Sequence, residues 1–450
     1  MPERGVPPDS SPSAHEPDAP RPVLPLSTLQ YAPPESGLRS RHWIAILLLA
    51  AVLLRVAFSV TRESTPSALT VLPDQVEYLS LAESLIRGQG LFFEDPDFWQ
   101  PLYAFRMPGY PLLVAVCGTD IRFVRALQAL LDTSSVLAIF WTARRLRGET
   151  AALLAAAAVA FNPYLIYFSS LVLSETLFTA MLAWGVFLMT CPSNVRRGWG
   201  VALLLASVYV RPSAVGLGVA AALAVYATGT TPFLRIKRGV LAGVAAAVLL
   251  AVMLAPWAIR NRLVLGQTVW LTTNDGYTAY DSFNPKADGS SNQALFRQGE
   301  YDPNAPVGSP IVGWWMMSDR GEYGRSAYLR QLAFDYARSH PRRVAELAVA
   351  KLARFWSPFP LSTTFGGQRL YVLVGAAYAV PLFILAVVGV FRGGLGRRAT
   401  FILLLPAIYF SFVHTVYVGS LRYRVPCDVP LTVLAAAGAM SLVRPKQEPA

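Results

Sequence analysis

Long apolar runs separated by short basic links recur from residue 43 to residue 443. Several approach the ~20 residues that a helix, rising ~1.5 Å per residue, needs to cross a bilayer core. The pattern predicts ten spans, at 43–60, 122–143, 150–168, 172–190, 199–210, 213–228, 239–258, 370–391, 399–416 and 427–443, of which the fifth is short. Two long polar segments, 61–121 and 259–368, are left between spans on one face. The expected fold class is therefore an all-α polytopic membrane protein. The first run, Trp43 to Val60, follows Arg39 and Arg41 and has no small-residue cleavage site behind it, so it reads as an uncleaved first span.

Composition strengthens this reading. Apolar residues make up 54% of the chain and charged ones 15%, too few charges to clothe a soluble surface. The formal charge of +12 would suggest nucleic acid in a soluble protein, but the cations sit in clusters between apolar runs. These are Arg144, Arg145 and Arg147; Arg196 and Arg197; Arg235, Lys237 and Arg238; and Arg392, Arg397 and Arg398. All fall on one side of the ten-span path, which is the positive-inside pattern and names membrane lipids as partners rather than nucleic acid. Both termini are then cytoplasmic, with Arg444 and Lys446 in agreement, and both long polar segments are extracytoplasmic. Residues 1–38 read as a disordered cytoplasmic tail, since the first 36 hold ten prolines, and 39–445 as the membrane domain. Cys117, Cys191 and Cys427 are too scattered for a disulfide framework or a metal cluster.

In the first outer segment, Asp74 to Arg87 predicts an amphipathic helix stopped by Gly88 and Gly90. Tyr78, Leu79, Ala82, Leu85 and Ile86 share one face, and Glu77, Ser80, Glu83, Ser84 and Arg87 the other. Such a helix lies flat at the membrane surface and holds Asp74 at the water–lipid boundary. Asp74 with Glu77 three residues on also fits a capping box. In the second segment, Tyr328, Leu329, Leu332 and Tyr336 mark a surface helix ended by Pro341, and residues 342–356 a basic interfacial helix with Lys351 and Arg354 on its polar side. His340 and His414 have no acid or second His at ligand spacing.

The order Asp74, Tyr78, Ala82, Leu85, Gly88, Gly90, then Arg106-Met107-Pro108-Gly109-Tyr110-Pro111, resembles the first periplasmic loop of GT-C glycosyltransferases. The likeness is to bacterial enzymes related to protein O-mannosyltransferases and to aminoarabinose transferases that modify lipid A. Ser174-Glu175-Thr176, Arg211-Pro212, Pro256-Trp257-Ala258-Ile259-Arg260-Asn261 and Arg422-Tyr423-Arg424-Val425-Pro426 follow in the family's order, over about residues 43–440. The resemblance implies a GT-C-like fold in a bacterial cytoplasmic membrane, with Asp74 as the catalytic carboxylate. Many relatives carry two adjacent acids there. This chain has Gln75 after Asp74, so a metal held by such a pair is not carried over; no cofactor is assigned, and a divalent metal is left open.

Sugar transfer from polyprenyl phosphate needs one base to deprotonate the acceptor, and fixed cations to meet charge on the leaving phosphate. Asp74 is the expected base of an inverting reaction, by analogy with inverting glycoside hydrolysis. Glu175 is expected as second acid or acceptor binder. Arg211, Arg260, Arg422 and Arg424 fall at outer ends of spans, where the positive-inside rule predicts few cations, and are expected to cradle the phosphate, with Arg260 and Arg422 the preferred pair. Arg55, inside span one, reads as a partner for another helix. Tyr78, Arg106, Asn261 and Tyr423 are expected to line the substrate site. The acceptor, whether lipid, glycan or protein, is not legible. A transporter or lipid flippase would show mid-membrane breaks and repeat symmetry, which the sequence lacks; a non-catalytic envelope assembly protein would lack transfer activity.

Overall fold

The computed structural model describes residues 38–95, 100–291, 319–361 and 369–443. Residues 1–37 of the predicted tail (1–38) and the basic residues Arg444 and Lys446 lie outside these.

The first polar segment follows α1 (Leu38–Val60) and holds α2 (Pro66–Thr70), α3 (Pro73–Ile86), a two-stranded ribbon pairing Phe93–Glu94 with Pro101–Leu102, and α4 (Gly109–Val116). Seven helices of the bundle follow: α5 (Ile121–Arg147), α6 (Glu149–Ala160), α7 (Pro163–Ser169), α8 (Glu175–Met189), α9 (Asn194–Ala206), α10 (Leu217–Tyr226) and α11 (Pro232–Leu265). The second segment holds α12 (Asn274–Ser282), α13 (Glu322–Ser339) and α14 (Pro341–Phe355), and the chain closes with α15 (Arg369–Arg392), α16 (Arg397–Val416) and α17 (Leu421–Val443).

A helix stands at each of the ten expected spans, but among the described residues only six are long and apolar enough to cross a membrane: α1, α5, α11, α15, α16 and α17. The third expected span is broken into α6 and α7, bent by 49°. The break has a local cause: Asn162 accepts from the Tyr164 and Leu165 N–H groups, and Pro163 cannot continue the ladder. Helix α8, with 15 residues, rises roughly 22 Å at ~1.5 Å per residue, short of the bilayer core. Hydropathy alone does not separate such a buried short helix from a full span. Outward faces of the long helices are apolar and exposed, as on α1 (Leu49, Leu53, Val56, Val60) and α11 (Leu241, Val248, Val252), as lipid contact requires.

Arg55 of α1 pairs with Asp132 of α5 at 2.5 Å, both buried, as expected of an intramembrane cation. Helices α15 and α17 meet closely through glycines: a Cβ at Gly438 would overlap the Leu385 carbonyl, and one at Gly389 the Leu434 carbonyl. Gly438→Val is expected to force these helices apart and cost about 3 kcal/mol or more, read as a lower unfolding temperature and a poor yield of monodisperse protein in detergent.

The basic clusters gather at one end of the bundle. Arg145 and Arg197 both reach Cys191, through Sγ at 3.0 Å and the carbonyl at 2.8 Å, Arg398 donates to the Val225 carbonyl, and Gly394 lies beside Arg147. The two polar segments meet at the opposite end. Glu322, first in α13, accepts from the N–H groups of Tyr103 (2.6 Å) and Ala104 (2.8 Å), and Thr273 N–H donates to the Ala104 carbonyl. Three corrections follow for the outer helices. The buried stripe of α3 is Asp74, Gln75, Tyr78, Leu81 and Ala82, with Ile86 exposed, so its main contact is protein rather than a lipid surface. On α13, Leu329 and Ala333 pack on Tyr280 in a small second core. Lys351 of α14 is buried, donating to the Val416 carbonyl at 2.7 Å and lying over the Phe283 ring, instead of facing headgroups.

Candidate active site

Asp74 sits in the first turn of α3, where the helix dipole favours an anion. The capping box is not formed: the N-cap is Leu72, without a side-chain bond, and the Asp74 carboxylate is turned to two arginines. Gln75 fixes that orientation, its amide donating to the Leu69 carbonyl at 3.3 Å and accepting from Val172 N–H at 3.0 Å. An acid at 75 could not make the first of these bonds. Gln128 of α5 holds the same turn from the other side, donating to the Ser169 and Leu171 carbonyls and accepting from the Tyr110 hydroxyl. The turn delivers Glu175 at the start of α8. Gly109 permits the approach of the first segment, since a Cβ there would lie 2.7 Å from the Tyr209 carbonyl oxygen.

These constraints assemble an unbroken alternation of charge. Glu77 pairs with Arg106 at 2.6 Å, Arg106 with Asp74 Oδ1 at 2.7 Å, Asp74 Oδ2 with Arg422 at 2.8 Å, Arg422 with Glu175 Oε1, and Glu175 Oε1 with Arg211 at 3.2 Å. Three carboxylates and three guanidiniums thus match in number. Arg422 stands in the first turn of α17, an unfavourable end for a cation, which the two acids offset. Arg211 is extended, as Pro212 demands of its predecessor. The row is walled by Tyr78, whose ring faces the Arg106 guanidinium at 5.6 Å, and by Tyr423, which faces Arg211 at 5.2 Å. Its middle is the open part: the Arg422 side chain keeps 24% exposure against 1% for Glu175. Glu175 Oε2 is buried without a hydrogen-bond partner, an acceptor atom left for something else.

The structure therefore brings together Asp74, Glu175, Arg106, Arg211, Arg422, Tyr78 and Tyr423, and adds Glu77. Three expected site residues serve elsewhere. Arg260 donates to the Tyr103 and Leu91 carbonyls, each at 2.6 Å, and Asn261 to the Val269 carbonyl at 2.9 Å, so this motif fastens the outer segments to α11. Arg424, two residues and about 200° around α17 from Arg422, is fully buried against Asp428 and the Ser357 carbonyl. His414 stacks on Tyr423 at 4.3 Å and bonds the Val418 carbonyl. Among the described residues no group of three or more His, Cys, Asp or Glu could hold a metal, and the three site acids are interleaved with guanidiniums. A divalent metal does not fit this donor set.

The two carboxyls of α3 are pushed apart. Burial raises both, but at Asp74 the charges of Arg106 and Arg422, with the Arg422 hydrogen bond, outweigh it and hold the carboxyl well below its ordinary 3.8. At Glu77 burial, helped by the charges of Asp74 and Asp95, prevails over Arg106 and lifts the carboxyl above 4.5. The depressed Asp74 value means stability that is present above pH 3.8 and lost only as pH falls through the lower folded value. The raised Glu77 value means a cost absent below pH 4.5 and fully felt once pH exceeds the folded value. Asp74→Asn should thus lower stability by about 3 kcal/mol at pH 7, with the gap persisting at pH 4, whereas Glu77→Gln should be no less stable than wild type at pH 7. Thermal unfolding in detergent at the two pH values checks both; a Glu77→Gln loss equal to that of Asp74→Asn would contradict the assignment.

No protein-family model matches the chain, and no curated protein matches it. Solved structures do resemble it. An oligosaccharyltransferase of Archaeoglobus fulgidus, AglB, solved with an inhibitory peptide and a dolichol-phosphate, is 13% identical with a TM-score of 0.47, over 92% of this chain and 52% of that one. ArnT from Cupriavidus metallidurans, solved with undecaprenyl phosphate, is 15% identical with a TM-score of 0.38, over 88% and 78%. The chain spans about half the length of the oligosaccharyltransferase. At these values the likeness is one of outline.

Proposed function

We propose that the chain is a glycosyltransferase of the bacterial cytoplasmic membrane that moves a hexosyl or pentosyl group from a polyprenyl-phosphate donor to an extracytoplasmic lipid, glycan or protein, with inversion. The observation that carries this reading is the buried alternation of carboxylates and arginines at the end of the bundle opposite the basic clusters. In the reaction the acceptor O–H or N–H gives its proton to Asp74, the freed lone pair forms the bond to the anomeric carbon, and the bond to phosphate breaks with its electrons leaving on the phosphate. Arg422 and Arg211 meet that developing charge. Arg422 also couples the two events: at rest it keeps Asp74 a weak base, and as it turns to the phosphate the carboxylate gains proton affinity. The partnerless Oε2 of Glu175 orients the acceptor.

The test is transfer of labelled sugar from polyprenyl phosphate in membranes with and without the chain, paired with mass spectrometry of envelope glycans and glycoproteins. A sugar missing without the chain identifies donor and acceptor. Absence of any difference in either assay removes the enzyme assignment.

A further inference from the structure

Because its six charges match, the alternating row has no cation to spare for a donor at rest. Such cations lie just beyond it, at the end of α1. The Arg62 guanidinium sits 4.9 Å from the Phe58 ring and 4.6 Å from that of Tyr167, and its Nη2 is buried without a hydrogen-bond partner. Arg125 of α5 lies close enough for the two like charges to oppose each other. It donates to the carbonyls of Ser59, Arg62 and Glu63 and to Ser64 Oγ, and its Nε is buried without a partner. Among the described residues neither guanidinium has a carboxylate within ion-pair distance. Two like-charged groups, Arg125 buried and Arg62 half-buried, held together without an anion are costly unless an anion comes.

The surroundings indicate which anion. Val56 and Val60 on α1 face outward among the exposed apolar residues, so the pair lies where the lipid-facing surface ends. Tyr167 is in the field of both Arg62 and Arg422, which places the pair next to the Asp74 row. Tyr371 of α15, 6.4 Å from Tyr167, adds another aromatic surface. Building on the function proposed above, we infer that Arg62, supported by Arg125, is the docking site for the phosphate headgroup of the donor lipid as it arrives from the bilayer. The bidentate fork of Arg suits a phosphate monoester, and the rings of Phe58 and Tyr167 hold the fork in place.

The experiment measures binding, which requires no transfer: a polyprenyl monophosphate titrated into the full chain in nanodiscs and read by native mass spectrometry. Arg62→Gln and Arg62→Ala should weaken it roughly tenfold or more, and Arg62→Lys by roughly threefold, since a point charge replaces the fork. Phosphatidylglycerol and inorganic phosphate should compete poorly. Unchanged binding in an Arg62→Gln or Arg62→Lys protein that unfolds at the wild-type temperature would overturn the inference, as would equal competition by either control anion. Transfer that needs Asp74 alongside binding indifferent to Arg62 would sink this site alone. Binding that needs Arg62 in a chain without transfer would uphold the site and remove the enzyme reading.

Discussion

Sugar transfer is expected to fall by roughly 10²- to 10⁴-fold in Asp74→Asn, the range over which a positioned general base acts. The amide keeps the size of the side chain and can still accept from one arginine, but it cannot take a proton. The loss should appear in kcat with donor binding no weaker than wild type, because the phosphate is held by arginines and not by this acid. Membranes containing equal amounts of folded wild-type and variant protein give the comparison. Transfer within about twofold of wild type would leave Asp74 a structural anion.

The other large effect is expected at Arg422. Its guanidinium bridges Asp74 and Glu175, so Arg422→Ala leaves two buried acids facing each other without a cation between them. Breaking a buried pair by removing one partner costs about 3 kcal/mol or more, and loss of a charge-stabilising donor costs roughly 10²- to 10³-fold in rate. The two losses can be separated. Adding Glu175→Gln to Arg422→Ala should return part of the unfolding temperature by relieving the repulsion between the two carboxylates, while transfer stays low. A double variant no more stable than Arg422→Ala would show that the acids are not coupled through this arginine.

The sequence exposes the bundle because hydropathy reports the solvent around a helix. It does not report whether a neighbour is lipid or protein, and for that reason the short helix α8 and the bent pair α6–α7 read as ordinary spans. At the site, Asp74 and Glu175 are legible through the motifs of the family resemblance, and Arg211 and Arg422 because each is a cation at an outer span end where the positive-inside rule predicts few. The same signal misplaces Arg260 and Arg424: a position at the end of a helix does not say which way the side chain turns. Arg260 turns to the Tyr103 and Leu91 carbonyls of the first outer segment, and Arg424 lies about 200° of helix away from Arg422. Glu77 is hidden by the three-residue spacing that it shares with a capping box. The spacing that puts two acids on one face of a helix is the available signal, and Arg106 is what makes it meaningful. Gln75 shows the converse: where the family resemblance leads one to look for a ligand, this chain has an amide that bonds Leu69 and Val172.

The even match of acids and arginines also bears on turnover. In the proposed reaction, a spent lipid phosphate lingering against Arg422 and Arg211 would compete with Asp74 and Glu175, which lie within reach of the same guanidinium groups and would close on them again when it goes. On that reading product escape is favoured by the resting state itself, and the leaving group can be held firmly at the moment of bond cleavage without blocking the site afterwards.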